Sequence, residues 1–132
     1  MATTHFNNRD KVKQLIDFTG ILNEGKLSAT DMDGMIEYKN QLYLFIEIKE
    51  GNKDLPFGQK LALERLTDDL SKVKPTIAIV AEHNITNPNV DIVMAECIVR
   101  EIRFNNKWSP VESTTVRTVV DKFIKKYSNT KM

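Results

Sequence analysis

Cysteine is almost missing from this chain: Cys97 is the only one in 132 residues. No disulfide can form within it, and neither His5 nor His83 is spaced to build a zinc motif around a single thiol. Cys97 lies in the apolar stretch "DIVMAECIVREI", which predicts a buried free thiol rather than a nucleophile. No run of about 18 apolar residues occurs, and no basic-then-apolar leader, so neither a membrane span nor a secretory signal is expected. The expected location is the cytoplasm, that of the host cell if the gene is phage-encoded. Charge of one sign is also lacking, with 19 Lys and Arg against 18 Asp and Glu. Any affinity for nucleic acid must therefore come from local patches, not a general basic field. There is no Walker loop, dinucleotide fingerprint or serine-nucleophile elbow.

What is present fits one modest domain of 132 residues with a sizeable core. Val12, Leu15 and Ile16 in "NNRDKVKQLIDFTGIL" have helical spacing, and Gly20 is a plausible stop. "GMIEY" and "QLYLFIEIKE" read as two strands joined by "KN". After the loop "GNKDLPFG", Pro56 and Phe57 lead into a helix ending near Lys72, with Gln59, Leu63, Leu66 and Leu70 on its packed side. Lys60 with Glu64 and Arg65 with Asp69 are spaced for weak surface pairs. "TIAIVAE" is an interior strand candidate. "DIVMAECIVREIRF" predicts a short helix followed by a strand, and "NNKW" a turn. Val116, Val119, Val120, Phe123, Ile124 and Tyr127 mark a closing amphipathic helix. This order predicts a single α/β (α+β) core.

The chemistry concentrates in "TDMDGMIEYKNQLYLFIEIKE". Alternation along the second strand puts Tyr43, Phe45, Glu47 and Lys49 on one face and Leu42, Leu44, Ile46 and Ile48 on the other. Burial of the second face would hold Glu47 and Lys49 side by side at a sheet surface. Hydrolysis of a phosphodiester needs an aligned water, neutralised charge on phosphate and a stabilised leaving oxygen. Asp33 and Glu47 are hard oxygen ligands suited to Mg²⁺, with Mn²⁺ as a substitute, and the Ile48 carbonyl is a further ligand candidate. Lys49 then stands beside the attacking water or the phosphate. Gly34 would permit close approach or an unusual dihedral beside the metal. Asp31 ranks behind Asp33 as a ligand.

Asp33 with Gly34 beside it, and Glu47-Ile48-Lys49 after a 13-residue interval from Asp33, resemble the PD-(D/E)XK nuclease superfamily, in particular its small phage and Holliday-junction-resolvase-like members. The resemblance covers residues 28 to 81. It implies a restriction-endonuclease-like core, a mixed central β-sheet flanked by helices. It also implies a Mg²⁺ site at Asp33 and Glu47 and phosphodiester cleavage assisted by Lys49. Relatives carry a helix-borne glutamine soon after the lysine, which makes Gln59 in "GQKLALERL" a site organiser or phosphate contact. Met32 stands where the motif's proline would be, and neither Asp17 nor Glu24 aligns securely with the first-helix acid of some relatives.

The expected activity is that of a Mg²⁺-dependent deoxyribonuclease, an endonuclease acting on branched or otherwise structured DNA, with DNA and a second copy of the chain as partners. The alternative is a catalytically degenerate nuclease fold that binds DNA or a protein. Each residue also has a plainer reading. Glu47 and Lys49 can be an ion pair, and Gln59 a packing residue at the helix start. Lys53, Lys60, Arg65 and Lys72 are either a DNA-facing rim or ordinary surface. Lys122, Lys125, Lys126 and Lys131 are either a phosphate-binding patch or a solvated helix end. Tyr38, Tyr43 and Phe45 are read first as packing and second as nucleotide contacts. Trp108 would anchor a hairpin or a partner surface.

Overall fold

The computed structural model describes residues 17, 19–21 and 31–129. Two compact units divide the chain, Met1–Asp31 and Met32–Met132. In the first, the Thr19 N–H donates to the Asp17 side chain at 2.8 Å, and Gly20 takes φ +92°. The Thr19 hydroxyl first, and its N–H second, hold the Asp17 carboxyl below its ordinary range. Val12, Leu15 and Ile16 of the expected first helix, His5, Glu24 and Lys131 lie outside the described residues.

The second unit is a mixed α/β fold. Its sheet runs β1 (Gly34–Tyr38), β2 (Leu42–Glu50), β3 (Thr76–His83), β4 (Ile98–Phe104) and β5 (Lys107–Pro110), in that spatial order. β2 and β3 are parallel; every other neighbouring pair is antiparallel. The parallel pair requires a crossover, which α1 (Phe57–Ser71) supplies. A one-turn 3₁₀ helix, Met94–Glu96, precedes β4, and α2 (Val116–Tyr127) closes the chain.

The turns follow from their residues. Lys39 and Asn40 both take positive φ, and the Gln41 N–H closes on the Tyr38 carbonyl at 2.8 Å. Asn105 and Asn106 do the same between β4 and β5. Asparagine tolerates the left-handed region, and two successive left-handed residues match the twist of a hairpin. Thr115 caps α2, its hydroxyl accepting the Thr118 N–H at 3.3 Å.

The sheet is covered on both sides. Leu42, Leu44, Ile46, Ile77 and Ile79 pack with Val116, Phe123 and Ile124 of α2. Phe45, Ala78 and Val80 pack on the other face with Leu55 and with Leu63 of α1, and Tyr43, Leu70 and Trp108 join them. Hence the Tyr43–Lys49 face is not an open surface beside a buried one: α1 roofs it, and the polar residues lie at its far end. Leu66 is exposed and Thr67 takes the packed position, its hydroxyl donating to the Leu63 carbonyl at 2.7 Å. Lys60 and Glu64 do not pair with each other. Lys60 reaches Glu101 on β4 at 3.1 Å, and Glu64 accepts the Trp108 indole N–H at 2.9 Å. Asp69 pairs with Lys72, not with Arg65.

Ile79 is fully buried in the middle of the central strand. Ile79→Ala should cost about 2–5 kcal/mol in a denaturant titration, because a close-packed interior collapses only partly around the lost carbons.

Candidate functional site

The β1–β2 hairpin sets the site. Its register pairs Gly34 with Ile46, so Asp33, one residue before β1, falls opposite Glu47. The spacing between the two acids is thus the length of one hairpin folded back on itself. The Asp33 N–H donates to Glu47 Oε1 at 3.2 Å, and the Ile48 N–H donates to Asp33 Oδ2 at 2.8 Å. Backbone donors hold both carboxylates in a reciprocal clasp.

Glu47 is only 3 % exposed. α1 begins above it, and Gln59 in the first turn donates from Nε2 to Glu47 Oε2 at 2.9 Å. The other end of the same amide faces Lys49, whose Nζ lies 3.5 Å from Gln59 Oε1. One side chain therefore joins the acid and the amine that strand alternation places on the same face. Pro56 and Phe57 start the helix where this reach is met.

Burial is the largest influence on Glu47 and the negative charge of Asp33 the next; together they push its carboxyl up to about 7. The Asp33 N–H and the Lys49 ammonium oppose them. Buried beside the exposed carboxylate of Asp33, Glu47 keeps its proton toward neutral pH, and a cation between the two acids would relieve their repulsion. Among the described residues no group of three or more His, Cys, Asp or Glu side chains gathers as a metal site. A cation held by Asp33 and Glu47 would thus need backbone or solvent oxygens to complete its shell, and the Ile48 carbonyl is the nearest expected in sequence.

Gly34 does not use the left-handed region. Its role is close approach: a Cβ there would meet Met94 Cε at 3.1 Å and Sδ at 3.2 Å. β1 begins at Gly34, so neither Asp31 nor Asp33 is inside the strand, and Asp31 is exposed.

The proposed DNA rim is not uniformly available. Lys53 is exposed beside Glu50 at 3.6 Å, and Arg65 is exposed on α1. Lys60 is engaged by Glu101 and lies 4.8 Å from the Trp108 ring centroid. Sequence reading missed the network on this side: Arg103 makes two hydrogen bonds to Asp68, at 3.0 and 2.6 Å, and sits over Trp108. Alternating charged residues on a strand carry no signal of which helix they will meet. The network fastens α1 to β4 and β5, and it half-buries Trp108, which anchors the hairpin.

Glu50, Asp54, Glu82 and Glu96 stand at this same end of the sheet, where β2 and β3 finish and β4 begins. Of the cations described at this end besides Lys49, Lys53 and Arg100 are paired with Glu50 and Asp54, and Arg117 is exposed at the start of α2. The site end is acidic. No protein-family profile, curated protein or solved structure matches the chain. No helix among the described residues is long and apolar enough to cross a membrane.

Proposed function

We propose that this protein is a metal-dependent DNA endonuclease of the PD-(D/E)XK kind, hydrolysing phosphodiester bonds in branched or otherwise structured DNA. The observation that carries the reading is the joined quartet Asp33, Glu47, Lys49 and Gln59, in which two carboxylates and an amine meet through hydrogen bonds at 2.8 to 3.5 Å. Glu47 lies toward the carboxyl end of the parallel β2–β3 pair, where open α/β sheets place their ligands, and Asp33 meets it across the antiparallel hairpin.

Asp33 and Glu47 would hold Mg²⁺ or Mn²⁺, with the Ile48 carbonyl as a further ligand. Bound there, the ion would supply Lewis-acid stabilisation of negative charge on the phosphate. The chain does the rest. Gln59 keeps Glu47 aimed and leaves its carbonyl oxygen for Lys49, which orients the ammonium toward the same space. Lys49 stabilises charge that develops on a phosphate oxygen. The roof of α1 excludes water from Glu47, which strengthens each of these interactions.

The test is incubation of the purified protein with labelled linear, nicked, single-stranded and four-way-junction DNA, in Mg²⁺, Mn²⁺ or chelator, beside Asp33→Ala. Metal-dependent products absent from the variant support the reading and rank the substrates. A second reading, a nuclease-like fold that binds without cleaving, is favoured by the gathering of only two carboxylates among the described residues. Binding without products under every condition would select it. Gln59→Ala should lower cleavage by about 10- to 100-fold, measured by single-turnover kinetics, since Gln59 acts through Glu47 and Lys49.

A further inference from the structure

The end of the sheet opposite the acidic site has a different chemistry. All three tyrosines of the chain lie there: Tyr38 at the end of β1, Tyr43 at the start of β2 and Tyr127 in the last turn of α2. Each is half-buried and each has a lysine over its ring, with Lys39 at 5.3 Å from Tyr38, Lys74 at 5.5 Å from Tyr43 and Lys126 at 5.4 Å from Tyr127.

These segments meet around one end of the sheet, Tyr38 and Tyr127 on the side of α2 and Tyr43 on the side of α1. Lys74 hydrogen-bonds Asn40 of the β1–β2 turn, the Asn129 N–H donates to the Gln41 side chain, and Phe104 packs against Tyr127 with centroids 5.4 Å apart. A cavity of about 260 Å³ opens between Lys74, Pro75, Phe104 and Tyr127. Lys72, Lys107 and Lys125 extend the positive charge. The carboxylates nearby are occupied: Asp68 by Arg103, Asp69 by Lys72, and Glu37 by the Asn40 N–H.

We infer that this tyrosine–lysine pole binds a single-stranded nucleic acid, its phosphates meeting Lys39, Lys74 and Lys126 and its bases stacking on the tyrosines. Complementation of helix dipoles accounts for Lys125 and Lys126 at the end of α2, but not for Lys39 in a hairpin turn or Lys107 at the start of β5. A sheet end that sets aromatic rings beside cations on both of its sides suits a flexible strand with a charged backbone and exposed base faces. A duplex hides those faces, and an anionic membrane has none. Each ammonium lies over its ring at long range and in contact with solvent, so a base can displace it toward phosphate.

Binding here does not depend on cleavage at the other end. If cleavage occurs, the pole gives the substrate a grip that the acidic site lacks. Tyr43 and Lys49 lie six residues apart on β2, roughly 20 Å, the length of about six nucleotides at 3.4 Å each.

The test is fluorescence anisotropy of the full chain in chelator, with labelled oligothymidylate, oligouridylate and duplex DNA of about 16 units. Single strands should bind more tightly than duplex, with the thymidylate and uridylate arms telling DNA from RNA. Combined Lys39→Glu, Lys74→Glu and Lys126→Glu should weaken single-strand binding by at least about 30-fold and reduce the logarithmic salt slope by about 2. Tyr38→Leu with Tyr127→Leu should cost about tenfold or more at an unchanged salt slope, because stacking releases no counterions. Thermal melts certify that each variant folds, and the milder Lys39→Gln with Lys126→Gln repeats the test if reversal unfolds the chain. Arg117→Glu, at the other end of α2, should leave binding within about twofold. Equal affinity and salt slope in wild type and folded lysine variants would overturn the inference. So would preference for duplex, or binding only to phosphatidylserine vesicles run in parallel.

Discussion

Glu47→Gln should abolish metal-dependent cleavage and at the same time make the metal-free protein more stable at pH 8. The two effects have one cause. Below pH 4.5 the Glu47 carboxyl is protonated in folded and unfolded chains alike, so it makes no contribution to the pH dependence. Between there and about 7 the unfolded chain releases its proton while the folded site, buried and beside Asp33, retains it. Stability present at low pH is therefore lost as pH rises through this window, and above it the penalty is constant. The loss amounts to about 1–3 kcal/mol after allowance for solvent and Lys49. A neutral amide escapes it. The variant's melting temperature should equal that of wild type near pH 4 and exceed it by several degrees at pH 8.

Magnesium supplies a check that needs no DNA. Saturating Mg²⁺ at pH 8 should raise the wild-type melting temperature, as a ligand bound by the folded state alone must, and should leave Glu47→Gln nearly unmoved. Equal stabilisation of both proteins would remove Glu47 from the metal site. A variant less stable than wild type at pH 8 would show instead that its carboxylate is well compensated as a structural group.

Lys49→Ala should lower the single-turnover rate by about 10²- to 10⁴-fold, with Mg²⁺ affinity changed little. The amine contacts Gln59 and is not a donor to the cation, so its loss removes stabilisation of the reacting phosphate while Asp33 and Glu47 remain. Lys49→Arg should recover only part of the rate, because a planar guanidinium cannot occupy the space of a compact ammonium over the same amide. Calorimetry with Mg²⁺ beside a rate assay separates these roles. A large drop in metal affinity with an intact rate at saturating metal would assign Lys49 to assembly of the site.

Much of the fold was legible in local pattern. The strands at "GMIEY" and "LYLFIEIKE", the helix after Pro56 and the closing helix appear within a residue or two of expectation, since each carries its own period and punctuation. The pairing of Asp33 with Glu47 was legible too, once the turn at Lys39 and Asn40 was recognised, because an antiparallel register follows from the position of its turn. Leu66 was misplaced because helical periodicity admits either it or Thr67. The partners of Lys60 and Glu64 were misread because surface spacing along one helix says nothing of a neighbouring strand. The tyrosine–lysine pole was invisible for a stronger reason: its residues come from turns and ends scattered between positions 38 and 127.

By itself the sequence determined which residues alternate, where the chain turns, and that two acids and a lysine share one hairpin, all consequences of interactions within about 20 residues. Tertiary structure alone decided that α1 roofs the polar face, that Gln59 bridges Glu47 to Lys49, and that the molecule carries acid at one end and lysine over tyrosine at the other. Burial raises Glu47 and apposition builds the pole, and both depend on which distant segments meet when the sheet and its two helices exclude water together.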